Sequence, residues 1–175
     1  MTGRLGGYVK VAAPATEADF DELYRTQWHH MVRLALLLVD DVESAKDCVQ
    51  DAFVGLYRRP LRNPDAQLGY LHRSVVNAAR STLRRRGTAR RHLRNAELEV
   101  VPDAEHAVIV SAEHAALMAA LRQLPQRQRE VLVLRYWSGL AEAEIAAALG
   151  IRPGTVKSAA SRALTALENK LGGLR

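Results

Sequence analysis

From Glu17 onward, apolar side chains return every three to four residues, the spacing that lines up one stripe of an α-helix. Phe20, Leu23, Tyr24, Trp28, Met31, Leu34, Ala35 and Leu38 form the first stripe. "VDDVES" interrupts it, and Val42, Ala45, Val49, Ala52, Phe53 and Leu56 form a second. "RRPLRNPDA" reads as a loop, because Pro60, Pro64 and the turn-prone Asn63 punctuate it. A third helix is predicted from near Ala66, burying Leu71, Val75, Ala78, Ala79 and Leu83. Regularity fades from Gly87 to about Val110, where "RNAELEVVPDAEHAV" passes from basic to acidic and contains Pro102. Beyond it the pattern predicts a helix ending near Gln123, a break at Leu124-Pro125, and a helix "QRQREVLVLRYW" closed by Gly139. "AEAEIAAALG" and "PGTVKSAASRALTALENKL" follow as two more helices.

No strand or internal repeat emerges, so the fold class is all-α. The predicted organisation is a flexible N-terminal tail (1–16), a helical domain (17–92), a linker (93–110) and a second helical domain (111–172). Composition agrees with packed helical cores: 48% of the 175 residues are hydrophobic, Leu and Ala dominate, and β-branched runs are rare. The single cysteine, Cys48, excludes an internal disulfide and reads as buried packing. The six histidines show no ligand spacing, so neither metal nor cofactor is expected. No signal-peptide or membrane-spanning run is present, which predicts a cytoplasmic protein.

Charge changes the picture. The formal net charge is +6, and residues 70–94 hold eight arginines and no acid. The rest of the chain is therefore close to neutral, and this is a basic band on an otherwise balanced protein. Arg73, Asn77, Arg80 and Arg84 fall on one face of the third helix, with Tyr70 a turn away. Cations, an amide and an aromatic ring together suit nucleic acid, single strands included. A solvated charged face is the ordinary alternative, but such faces normally mix signs.

The last two helices form a helix-turn-helix pattern, with Gly150 in the turn and Pro153 at the first position of the second helix. Leu140, Ile145, Leu149, Ile151, Val156, Ala160, Ala163, Leu167 and Leu171 would make its core. The opposite face carries Thr155, Lys157, Ser158, Ser161, Arg162 and Thr165. Short hydroxyls and cations let a helix approach a DNA backbone closely and reach phosphates and base edges. A solvated helix of a bundle is the alternative reading of this pattern alone.

Four stretches taken together resemble a known family. "FDELYRTQWHHMVRLALLLV", "AKDCVQDAFVGLYRR", "NPDAQLGYLHRSVVNAARSTLRRR" and "LPQRQREVLVLRYWSGLAEAEIAAALGIRPGTVKSAASRAL" are similar, in order and spacing, to bacterial extracytoplasmic-function (ECF) sigma factors of the sigma-70 family. The resemblance implies a sigma-2 domain over 17–92 and a sigma-4 domain over 111–172, joined by a linker that crosses the polymerase RNA channel. It implies no covalent chemistry, and core RNA polymerase and promoter DNA as partners. The second helix would dock on the β′ clamp coiled coil through Asp47, Gln50, Asp51, Leu56 and Tyr57, and the sigma-4 domain would meet the β flap. The −10 element would be captured by Arg62, Asn63 and Asp65 in the loop and by Tyr70, Arg73, Asn77, Arg80 and Arg84 on the third helix. The −35 element would be read by Thr155, Lys157, Ser158, Ser161 and Arg162. Ala159 stands where a basic residue is common, which leaves one phosphate or base contact open, and Tyr70 stands where Trp is frequent. Whether an anti-sigma protein binds the chain stays open. A free-standing helix-turn-helix regulator is the competing class; the acids Asp47 and Asp51 argue against it, since a regulator needs no polymerase dock. An enzyme acting on DNA has no support, because no acids cluster for two-metal chemistry and no nucleophile has a paired base.

Overall fold

A computed structural model describes residues 17–59, 61, 63–92 and 112–172. Arg62, the predicted tail and the predicted linker lie outside them. The described residues form seven α-helices: α1 (Glu17–Val39), α2 (Val42–Arg58), α3 (Pro64–His92), α4 (Ala112–Arg122), α5 (Gln126–Leu132), α6 (Glu142–Leu149) and α7 (Pro153–Gly172). No strand occurs among them. Val133–Trp137 continues α5 as a single π-helical segment.

The α1–α2 corner is built by two consecutive aspartates. Asp40 adopts a left-handed φ of 74°, a conformation that Asp tolerates better than most residues, and ends α1. Asp41 then caps α2, its Oδ1 accepting from the Ser44 amide at 2.9 Å. Arg86 of α3 clamps the corner, donating to the Val39 carbonyl (3.1 Å) and to the side chains of Asp41 and Ser44. One arginine of the basic band is therefore a structural tie.

Two observed boundaries differ from the expected ones. α3 starts at Pro64, two residues before Ala66, because Pro suits a first helical position and Asn63 supplies the cap. The Asn63 Oδ1 accepts from the Asp65 amide at 2.8 Å, and its carbonyl accepts from the Gln67 amide at 2.9 Å. α3 also runs through Gly87 to His92, since one helical glycine costs only about 1 kcal/mol. The α6–α7 turn follows expectation. Gly150 takes φ 64°, and the Ile151 amide reaches back to the Ala146 carbonyl at 3.0 Å.

The helices α1–α3 pack around Met31, Leu34, Val49, Leu71 and Val75, all fully buried. Val131, Leu134, Ile145 and Val156 are the matching fully buried residues of α5–α7. These two sets belong to one continuous apolar cluster, joined where α6 packs on α3 and the π segment packs on α1. Of the predicted helix-turn-helix core, Ile145, Leu149, Val156, Ala160 and Ala163 are buried, while Leu140, Ile151, Leu167 and Leu171 are half-buried.

Candidate nucleic-acid and partner interfaces

Three helical faces carry the predicted site residues. The first is on α2, whose buried stripe of Ala45, Cys48, Val49, Ala52, Phe53 and Leu56 leaves the opposite side to solvent. Asp47, Gln50, Asp51 and Tyr57 are exposed there. Leu56 is a correction: it is 2% exposed and packs in the core, so it shapes this face from behind and offers nothing to a partner. Val54 is the residue that sequence reading missed. It is 41% exposed beside Tyr57 at 59%, and both are large apolar groups among acids. Its i+3 and i−3 spacing to Tyr57 and Asp51 was the available signal. Tyr57 packs edge-on to Phe20 at 5.3 Å, in an aromatic group with Tyr24, Trp28 and Phe53. Trp28 is committed to that group, its ring 4.9 Å from Tyr24.

A groove of about 350 Å³ separates this face from α3 and is lined by Asp47, Asp51, Cys48, Asn77, Ser81, Thr82 and Arg85, among others. Cys48 sits at its floor with Sγ 3.8 Å from the Thr82 hydroxyl. Burial pushes the thiol up from its ordinary value, with Asp51 and Asp47 adding to the effect, so it is a poor nucleophile.

The second face is the basic side of α3 with the loop before it. Leu61 is anchored through Gln67, whose side chain is 8% exposed and donates to the Leu61 carbonyl at 2.7 Å. Sequence reading passed over Gln67. Asn63 and Asp65 are exposed, so the cap that starts α3 also presents the loop. Tyr70 is half-buried and leans on α2: a Cβ added at Gly55 would lie 2.5 Å from its hydroxyl oxygen. Arg84 and Asn77 are exposed, Arg84 donating to the Ser81 hydroxyl at 3.2 Å. Arg73 and Arg80 are occupied by the α4–α7 half. Arg73 donates to the Ala147 carbonyl at 3.0 Å, and Arg80 donates twice to Glu130, at 2.7 and 2.6 Å. The basic side chains expected on one open face are thus divided between solvent and an internal partner. Sequence periodicity could not signal this, because Glu130 is fifty residues away.

The third face is on α7. Thr155, Lys157, Ser158, Ser161 and Arg162 are all exposed, and those with hydrogen bonds make them within α7. The Ser158 hydroxyl donates to the Thr155 carbonyl at 3.1 Å and lies 3.4 Å from Arg162 Nη2. Ala159 is 2% exposed on the stripe with Val156 and Ala163, so this position faces the core.

Among the described residues no group of His, Cys, Asp and Glu is arranged to hold a metal ion, and no helix is long and apolar enough to cross a membrane.

These faces fall within matches to known proteins. Residues 23–96 match the family described as Sigma-70 region 2, and residues 114–167 match Sigma-70, region 4. The chain is 37% identical over 157 residues to the RNA polymerase sigma-E factor of Streptomyces avermitilis, covering 87% of this chain and 85% of that one. It is 36% identical over 157 residues to the ECF RNA polymerase sigma factor SigM of Mycobacterium tuberculosis, covering 89% and 78%. In structure it is similar to the sigma factor RpoE of Bartonella quintana, solved in complex with the anti-sigma factor NepR. That likeness has a TM-score of 0.70 at 25% identity and covers 90% of this chain and 99% of that one.

Proposed function

The chain belongs to the extracytoplasmic-function branch of the sigma-70 family, directing promoter-specific transcription initiation by RNA polymerase, and from that premise we propose which of its faces does what. The α2 face of Asp47, Gln50, Asp51, Val54 and Tyr57 docks on core polymerase, at the β′ clamp coiled coil. Acids around two exposed apolar groups suit a basic partner with an apolar seam. The loop at Asn63 and Asp65, with Arg62, captures bases of the −10 element. Tyr70, Arg73, Asn77, Arg80 and Arg84 hold the melted strand by stacking and phosphate contacts. The α7 strip enters the major groove at the −35 element, while the rest of α4–α7 meets the β flap.

The observation that carries this reading is the α7 strip. Its five side chains are exposed, and the two that hydrogen-bond, Ser158 and Arg162, do so within their own helix, an arrangement free to be filled by DNA. Residues 17–92 and 111–172 are the proposed sigma-2 and sigma-4 domains, with 93–110 as linker. The chain performs no covalent step of its own and works in the cytoplasm, where core polymerase is. An anti-sigma protein is a further proposed partner, on the likeness to RpoE of Bartonella quintana.

Transcription in vitro from genomic DNA, with core polymerase alone and with this chain added, tests the assignment. A discrete set of new start sites is expected only with the chain present. Unchanged transcripts would remove the reading.

A further inference from the structure

Gly55 lies inside α2, next to Val54 of the proposed polymerase dock. A glycine inside a helix weakens it relative to alanine, so its presence there calls for a reason. Backbone conformation is not the reason: the described glycines with positive φ are Gly139 and Gly150, and Gly55 is ordinary helix. Space is. A Cβ at Gly55 would stand 2.5 Å from the Tyr70 hydroxyl oxygen, 3.6 Å from Cζ and 3.8 Å from Cε1. At every other described glycine a Cβ would meet nothing within 4 Å. The tip of Tyr70 therefore rests in a notch of α2 that only a missing side chain leaves open. The rest of the ring is half-buried against the apolar cluster, so part of it is held by the core and part meets solvent. One turn earlier on α3, buried Gln67 fixes the preceding loop through the Leu61 carbonyl at 2.7 Å. A stacking ring works through its plane and position, so whatever fixes the tip of Tyr70 fixes the surface it offers to a base.

We propose that Gly55 is a positioning residue for strand opening. It seats the Tyr70 hydroxyl on α2, so the helix that docks on core polymerase also sets the pose of the ring that stacks on the melted −10 strand. This rests on the stacking role proposed for Tyr70. It gives α2 two uses, its outer face for the partner and its Gly55 notch for the −10 aromatic.

The test measures permanganate reactivity of unpaired −10 thymines in complexes of core polymerase with the full chain. Gly55→Ala should leave co-purification with core polymerase intact and lower strand opening about 10-fold, the loss expected when one base–aromatic stack is spoiled. Gly69→Ala controls for helix propensity: its position on α3 is exposed, the added Cβ meets nothing, and it should open promoters as the parent does. The Tyr70→Phe background supplies the rescue. With the hydroxyl gone the nearest ring atom is 3.6 Å from the added Cβ, and Gly55→Ala should then change opening little. An equal loss in both backgrounds, or loss of core binding by Gly55→Ala, would mean that the Cβ disturbs α2 itself and would overturn the positioning role. Full opening by Gly55→Ala beside an intact Tyr70 would overturn it too. Tyr70→Ala separates this from the reading it rests on: unchanged opening there removes the role given to Tyr70, and that of Gly55 with it.

Discussion

His72 lies on α3 with 2% of its surface exposed. Burial, with a smaller contribution from His30, lowers its pKa to about 4, while the Leu68 backbone and Glu144 of α6 act in the opposite direction. An unfolded histidine titrates near 6.5, so between about pH 4 and 6.5 the unfolded chain binds a proton that the folded chain refuses. Stability must therefore rise with pH across that window, by on the order of 2–4 kcal/mol for this group. His30, also lowered by burial and by Arg33, adds in the same direction. Asp41 acts in a different window. Partial burial opposes its ionisation, but the Ser44 amide and Arg86 prevail and lower its pKa, so its contribution is lost only below about pH 4. His72→Leu should flatten most of the melting-temperature profile between pH 4.5 and 6.5, leaving the residue of His30; an unaltered slope would mean that His72 is solvated. Gly55 offers a second check at this scale. Ala in a helix gains up to about 1 kcal/mol over Gly, but here its Cβ would collide with the Tyr70 hydroxyl. With Tyr70→Phe the nearest remaining ring atom is 3.6 Å from that Cβ, an ordinary contact. Gly55→Ala should therefore stabilise the Tyr70→Phe background more than the parent, and denaturant titrations of the four chains would reveal additivity if Tyr70 does not lean on α2 as described.

At the scale of elements, each face makes its own demand on experiment. Asp51→Arg changes an exposed position and should cost the fold little, yet it should abolish co-purification with core polymerase. Retained binding would assign the dock to another helix. On α7, Lys157→Ala and Arg162→Ala separate two kinds of contact. A base-reading side chain is worth about 1–3 kcal/mol and shifts sequence preference, whereas a phosphate contact weakens all promoters alike. A promoter library randomised at the −35 element distinguishes them. The helices themselves were legible because their apolar stripes recur with one period, and Gly150 and Pro153 mark the turn unambiguously. Boundaries were less so: Pro64 reads as a breaker and as a first helical residue with equal ease, and Gly87 weakens a helix without ending it. Leu56 shows the deeper limit. Its place in the pattern says that it is apolar and periodic, which fits a core position and a partner-facing one alike; only packing decides. The π segment left no mark in the pattern, although it sets Tyr136 and Trp137 outward.

What no periodicity could convey is the arrangement of the whole molecule, because it depends on pairs such as Arg80–Glu130, Arg129–Asp40 and Trp137–His30 that are far apart in sequence. An ion pair with one partner almost fully buried is costly to break from one side, since the remaining charge loses its compensation. Glu130 escapes that cost only if the α4–α7 half withdraws and water reaches it. The apolar cluster runs across the same junction, so the halves share both a core and a charge match. Neither half can then unfold without stripping buried surface from the other, and their unfolding must be coupled. The free chain should accordingly melt in a single calorimetric transition, with equal calorimetric and van't Hoff enthalpies. Glu130→Gln removes the charge match but leaves the shared apolar cluster in place, so it should lower the melting temperature while the transition stays single. Two well-resolved transitions in the parent chain would mean that the halves fold independently, and that the basic face of α3 stands open from the start.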